Sequence, residues 1–118
     1  MKMLDLFSGI GGFGLAAKWT WGEDLEIKGF CEIEDFCSRV LEKNFPEVPI
    51  HKDITKLDGN LFNDVDLITG GFPCQDISQA GRGDGIEKGT RSSLWFEMLR
   101  VISEVRPKFV IIENVPML

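Results

Sequence analysis

The chain alternates between short apolar runs and stretches whose apolar residues recur at helical spacing. MKMLDLF (1–7) is such a run and ends in SGIGG, which predicts a strand and then a glycine turn. GFGLAAKWTW (12–21) has the spacing of a helix, and IKGFCEI (27–33) reads as a second strand. IEDFCSRVLEKNF (33–45) reads as a helix with Phe36, Val40, Leu41 and Phe45 on its apolar face, stopped by Pro46. VPIHKDI (48–54) predicts a short third strand, and 55–64 is mixed and turn-like, with room for a helical turn. DVDLITGGF (64–72) predicts a buried fourth strand. The segment 75–90 holds four glycines and no apolar period, so it reads as a long loop. TRSSLWFEMLRVISEVR (90–106) predicts a helix with Leu94, Met98, Leu99 and Ile102 on one face. PKFVIIENV (107–115) predicts a fifth strand, with FVII buried.

Strands alternating with helices at this spacing predict an α/β fold with a parallel sheet of right-handed βαβ units. Ligands of such sheets gather outside the carboxyl ends of the strands. The unusual residues fall at those ends. FSGIGG follows the first strand, Glu32 ends the second, Asp53 follows the third, GFPCQ the fourth, and ENV ends the fifth.

Composition narrows the picture only slightly. One domain is the expectation for 118 residues, and 43% hydrophobic with 27% charged residues is ordinary for a globular chain. The net charge of −6 argues against a surface built mainly for phosphate backbones, so any nucleic-acid surface must be local or lie on another chain. Three cysteines (Cys31, Cys37, Cys74) and one histidine fit neither a disulfide framework nor a common zinc pattern, so no metal is expected. A reducing, cytoplasmic setting is expected, without membrane span or signal peptide.

Each candidate has a functional and a structural reading. The turn Ser8–Gly12 suits close backbone approach to a ligand at a helix N-terminus, or a tight strand–helix junction. Its glycine spacing is not the phosphate-binding one, which favours a nucleoside or amino-acid moiety. Glu32 stands where an acid accepts ribose hydroxyls, or else it charges the start of the next helix. Asp53 can accept from an exocyclic amino group or be a loop aspartate. Cys74 follows proline at a strand exit, which suits either an exposed nucleophile or a buried structural thiol. Cys31 and Cys37 sit in strand and helix patterns and read as core. Glu113, at an apolar strand exit, is placed for a raised pKa and acid chemistry, or for capping by nearby amides, and Asn114 can orient either.

Taken together, DLFSGIGGFGLA (5–16), GFPCQ (71–75) and ENV (113–115) resemble three signature motifs of the C5-cytosine DNA methyltransferases, in order and at suitable spacing. The resemblance covers essentially the whole chain. It implies the Rossmann-like fold of a methyltransferase that uses S-adenosylmethionine and releases S-adenosylhomocysteine. It also implies that 1–118 is the N-terminal part of the catalytic domain. The sheet would be cut off after the fifth strand, with the target-recognition region and the C-terminal segment absent. Phe7, Ser8, Gly9, Gly11, Gly12, Glu32, Ile33, Asp53 and Ile54 would bind the donor: Glu32 its ribose, Asp53 its adenine amino group, Ile33 the adenine face. Many members carry an aromatic where Ile33 stands, which weakens that stacking.

By the same resemblance Cys74 is the nucleophile and Glu113 holds the target cytosine. Pro73, Gln75, Ser78, Arg82, Arg91, Asn114 and Val115 would face the substrate. The segment 76–90, with Arg82, Lys88 and Arg91, would close over a flipped base and touch phosphates, or else be a loop that lacks order without DNA. The implied partners are double-stranded DNA and a complementary C-terminal chain, and an apolar sheet edge would favour self-association. Restriction–modification, phage protection and regulation are equally compatible with the motifs. An RNA cytosine methyltransferase and an inactive donor-binding or assembly module are the alternatives. A dinucleotide-dependent oxidoreductase would leave Cys74 and Glu113 unused.

Overall fold

The computed structural model of the chain describes residues 1–73 and 91–115. The strands are β1 (Lys2–Leu6), β2 (Glu26–Cys31), β3 (Ile50–His51), β4 (Leu67–Pro73) and β5 (Phe109–Val115). The helices are α1 (Gly12–Trp21), α2 (Asp35–Asn44) and α3 (Arg91–Val105), with 3-10 turns at Gly22–Asp24, Ile54–Lys56 and Gly59–Phe62. All strand pairs are parallel, in the order β3-β2-β1-β4-β5. The chain thus starts at the centre, builds outward to β3, then returns to build the other half from β4. This reversal opens a crevice at the carboxyl ends of β1 and β4.

The apolar runs are strands because both faces of the sheet are covered near its centre. On one face Leu4, Leu6 and Ile68 pack against Met98, Val101 and Val105 of α3 and against Leu57, Phe62 and Val65. On the other, Met3 and Leu67 meet Ala17 and Phe13 of α1, while Phe30 meets Leu41 and Phe45 of α2. Helix α3 stops where Arg106 takes a positive φ of 55° and Pro107 follows.

Three expectations are corrected. The third strand is two paired residues rather than 48–54, because the chain leaves the sheet at once into the 3-10 turns. Phe36 and Leu99 are not core: they are 64% and 40% exposed, on the outer sides of α2 and α3. The run FVII is not buried. Among the described residues β5 is the sheet's edge, and Phe109, Val110, Ile111 and Ile112 are 58%, 39%, 49% and 37% exposed. Leu67 and Thr69 are the register partners of Phe109 and Ile111, so these two lie on the α1 face of the sheet, beyond the reach of α1. Val110 and Ile112 lie on the α3 face.

Candidate active site

The first strand exit is held by hydrogen bonds from both sides. Ser8 N–H donates to the Cys31 carbonyl (3.1 Å), Ser8 Oγ to the Asp5 carbonyl (2.8 Å), and Gly11 N–H to the Ser8 carbonyl (3.0 Å). Phe7, Gly9 and Gly11 all have positive φ (52°, 57° and 94°). Phe7 is a non-glycine residue in this region, a local strain found at ligand-binding turns. Gly11 has a second constraint: a Cβ there would sit 2.8 Å from Phe45 Cε2 and 3.0 Å from Leu41 Cδ2. The turn therefore lies directly on α2.

Glu32, buried at 8% exposure, ties the first two strand exits together. Its Oε1 accepts Gly9 N–H at 2.7 Å and its Oε2 accepts Glu34 N–H at 2.9 Å. Each carboxylate oxygen keeps a second lone pair, so these bonds leave acceptor capacity for ligand hydroxyls. At the third exit Asp53 begins the 3-10 turn. Its Oδ1 accepts from Thr55 N–H (2.9 Å) and Thr55 Oγ1 (2.7 Å), and these bonds lower its pKa.

Between these exits lies a cavity of about 90 Å³, lined by Phe7, Cys31, Glu32, Ile33, Lys52, Asp53, Ile54 and Leu94. Five of the nine residues assigned to the donor are here: Phe7, Glu32, Ile33, Asp53 and Ile54. The others, Ser8, Gly9, Gly11 and Gly12, form the adjoining turn and the start of α1. Apolar side chains with carboxylates at the edge fit a nucleoside: a flat ring between Phe7, Ile33, Ile54 and Leu94, with Glu32 and Asp53 as acceptors. The volume suits the base rather than a whole donor molecule. In the sequence Leu94 carries no sign of this role, because its helical spacing marks it only as core.

A larger cavity of about 550 Å³ lies at the opposite end of β2, among Lys18, Leu25, Ile27, Phe45 and Val48. It contains none of the candidate residues, and strand exits rather than volume locate the chemistry of a parallel sheet.

Cys74, Gln75, Ser78, Arg82 and Lys88 lie outside the described residues. The strand leading to Cys74 is described: Gly71 pairs with Glu113, Phe72 with Asn114 and Pro73 with Val115. Glu113 is exposed, with its Oε2 3.8 Å from where a Gly71 Cβ would be. Arg91 opens α3. The two described cysteines are poor nucleophiles. Burial pushes the Cys31 thiol up to about 12, with Glu32 and Asp53 adding to the effect, and burial and Glu32 also raise Cys37. Beside the turn, burial raises Asp5 to about 7, against the Thr69 and Ser8 bonds and with help from Glu32. Among the described residues no helix is long and apolar enough to cross a membrane.

Comparison with known proteins places the chain in a family. The chain is 45% identical over 114 residues to the type II methyltransferase M1.ScrFI of Lactococcus lactis subsp. cremoris, covering 97% of this chain and 28% of that protein. It is 43% identical to the type II methyltransferase M2.BsuMI of Bacillus subtilis, covering 98% of this chain and 29% of that protein. The chain thus spans less than a third of the length of these two relatives. The crystal structure of the S. pombe Dnmt2 methyltransferase superposes with a TM-score of 0.70 at 25% identity, over 98% of this chain and 34% of that one. The profile of the C-5 cytosine-specific DNA methylases matches residues 1–118 from end to end. The chain belongs to the C-5 cytosine-specific DNA methylase family.

Proposed function

We propose that this chain carries the donor pocket, the nucleophile and the base-holding carboxylate of an enzyme that methylates carbon 5 of cytosine in DNA. One observation carries the reading. The cavity of Phe7, Glu32, Ile33, Asp53, Ile54 and Leu94 lies at the carboxyl ends of the strands, the end of the sheet at which Gly71 of β4 pairs with Glu113 of β5.

S-adenosylmethionine, when bound, supplies an electrophilic methyl group. Glu32 would accept from its ribose and Asp53 from its adenine amino group, and the glycine turn would let its amino-acid part approach the backbone. The Cys74 thiolate adds to carbon 6 of a flipped cytosine, forming an S–C bond and moving electron density to carbon 5. Glu113 stabilises the charge that develops at ring nitrogen 3. Carbon 5 would take the methyl group as its bond to the donor sulfur breaks, leaving S-adenosylhomocysteine. Loss of the carbon 5 proton to a base then restores the double bond and expels the sulfur as thiolate. Pro73, Gln75, Ser78, Asn114 and Val115 shape the base pocket, and Arg82 and Arg91 meet phosphates.

The two thirds of the relatives' length that this chain does not span would complete the enzyme. That portion would cover the apolar β5 strand, where Phe109 and Ile111 on one face and Val110 and Ile112 on the other stand exposed, whether it comes from the same polypeptide or from a complementary chain. Without it the chain self-associates through the same strand. Methyl transfer from labelled donor to DNA and to tRNA, with this chain plus the C-terminal portion of a relative, tests the proposal. Labelled DNA is expected. Labelled tRNA alone would make this an RNA enzyme, and donor binding without transfer to either would reduce the chain to a binding module.

A further inference from the structure

The corner that reads the base of the donor is weakly held by the sheet. β3 contributes only Ile50 and His51, and Asp53 and Ile54 lie beyond it on a 3-10 turn. Within that corner, Lys56 N–H bonds the Asp53 carbonyl (3.1 Å) and Leu57 N–H bonds the Ile54 carbonyl at a long 3.2 Å. Its strong contacts come from α3. Arg100 Nη2 donates to the Ile54 carbonyl at 2.7 Å, and Nη1 donates to the Leu57 carbonyl at 2.9 Å.

The guanidinium is itself fixed. Nε donates to Glu97 Oε1 (2.7 Å) and Nη1 to Glu104 Oε1 (2.8 Å). Glu104 Oε1 also accepts Gly59 N–H at 2.8 Å, so the carboxylate holds both the arginine and the next 3-10 turn. A planar fork with donors on three nitrogens can bridge two carbonyls and two carboxylates at once, which a lysine cannot. The same helix supplies Leu94 to the cavity wall, about 9 Å along the axis from Arg100. One rigid rod thus sets both the wall of the cavity and the corner opposite it.

We propose that Arg100 is a positioning residue for adenine recognition: by clamping the Ile54 and Leu57 carbonyls to α3, it holds Asp53 where it can accept from the donor's amino group. This rests on the donor site proposed above. Arg100 is not one of the residues that line the cavity; it acts through the backbone of Ile54, a lining residue, and so on Asp53 beside it.

The test uses the intact chain as wild type, Arg100→Lys, Arg100→Ala, Asp53→Asn and the double variant Arg100→Ala/Asp53→Asn, each first checked for a cooperative thermal transition. Hydrogen exchange without ligand reads the clamp alone. The amides of Lys56, Leu57 and Gly59 are expected to exchange about tenfold faster in Arg100→Ala, with Arg100→Lys between. Unchanged exchange would overturn the clamp whatever the chain binds. Calorimetry then compares S-adenosylhomocysteine with its hypoxanthine analogue, in which a carbonyl replaces the amino group. Wild type is expected to prefer the adenine form by about tenfold or more, and both Arg100→Ala and Asp53→Asn to lose most of that preference without adding in the double variant. Full discrimination in Arg100→Ala would overturn the proposal. Wild type binding neither ligand would overturn the donor site and this inference with it, while the exchange result would still report on the clamp. Should Arg100→Ala fail to fold, Arg100→Lys decides both readings in the same directions.

Discussion

Gly71 and Glu113 are register partners on β4 and β5, two residues before the last described pair, Pro73 and Val115. A Cβ at position 71 would touch the Glu113 carboxylate at 3.8 Å, so the glycine keeps that oxygen's surroundings open. The carboxylate therefore stands at the carboxyl end of the sheet, beside the last described residues of β4. Glu113→Gln in the completed enzyme keeps the shape and removes the charge. Methyl transfer should fall by about a hundredfold or more, with donor affinity unchanged by calorimetry. Full activity would remove Glu113 from the chemistry.

Glu32 is both a brace and a candidate ribose acceptor. Glu32→Ala leaves Gly9 N–H and Glu34 N–H without their carboxylate partners. Denaturant unfolding should show a loss of about 2 kcal/mol or more. Affinity for S-adenosylhomocysteine should drop in the same variant. A stability loss with undiminished affinity would make Glu32 a structural brace only.

Asp5 is fully buried. Its Oδ1 accepts from Thr69 Oγ1 at 2.6 Å, and its Oδ2 has no hydrogen-bond partner among the described residues. Its pKa rises from an ordinary 3.8 to about 7, because burial penalises the charged form. The folded state therefore binds more protons than the unfolded state between those values. Stability from this group is full below about pH 4 and is lost as pH rises to about 7, by up to about 4 kcal/mol. Asp5→Asn keeps an acceptor for Thr69 and cannot ionise. The stability difference between variant and wild type should shift in the variant's favour across that window, measured by urea unfolding at several pH values. A difference independent of pH would contradict the raised pKa.

Gly11→Ala should destabilise the chain by at least about 1–2 kcal/mol, from the left-handed backbone alone. The added Cβ also meets Phe45 at 2.8 Å. Gly9 has a positive φ but nothing within 4 Å of its Cβ position, so Gly9→Ala should be the milder of the two by thermal unfolding. The reverse order would mean that α2 packs differently on the turn.

Much of this site was legible because strand ends could be read from where apolar runs stop, and the candidates cluster at those stops. Phe7, Glu32, Ile33, Asp53 and Ile54 come from three separate exits and line one cavity. What spacing cannot show is what covers a face. Phe36, Leu99 and the run Phe109–Ile112 have core-like patterns, yet they stand exposed because no described element packs over them. Leu94 and Arg100 were hidden for the opposite reason. Their roles depend on which turn α3 lies against, a relation between segments more than 35 residues apart.

The central claim is a transient bond between the sulfur of Cys74 and carbon 6 of the target base. It is tested most directly by incubating the completed enzyme and S-adenosylmethionine with DNA carrying 5-fluorocytosine, where fluorine blocks the final elimination. Wild type is predicted to form a denaturant-resistant protein–DNA adduct, and Cys74→Ser to form none and to transfer no methyl group. An adduct or methyl transfer by Cys74→Ser would contradict the account.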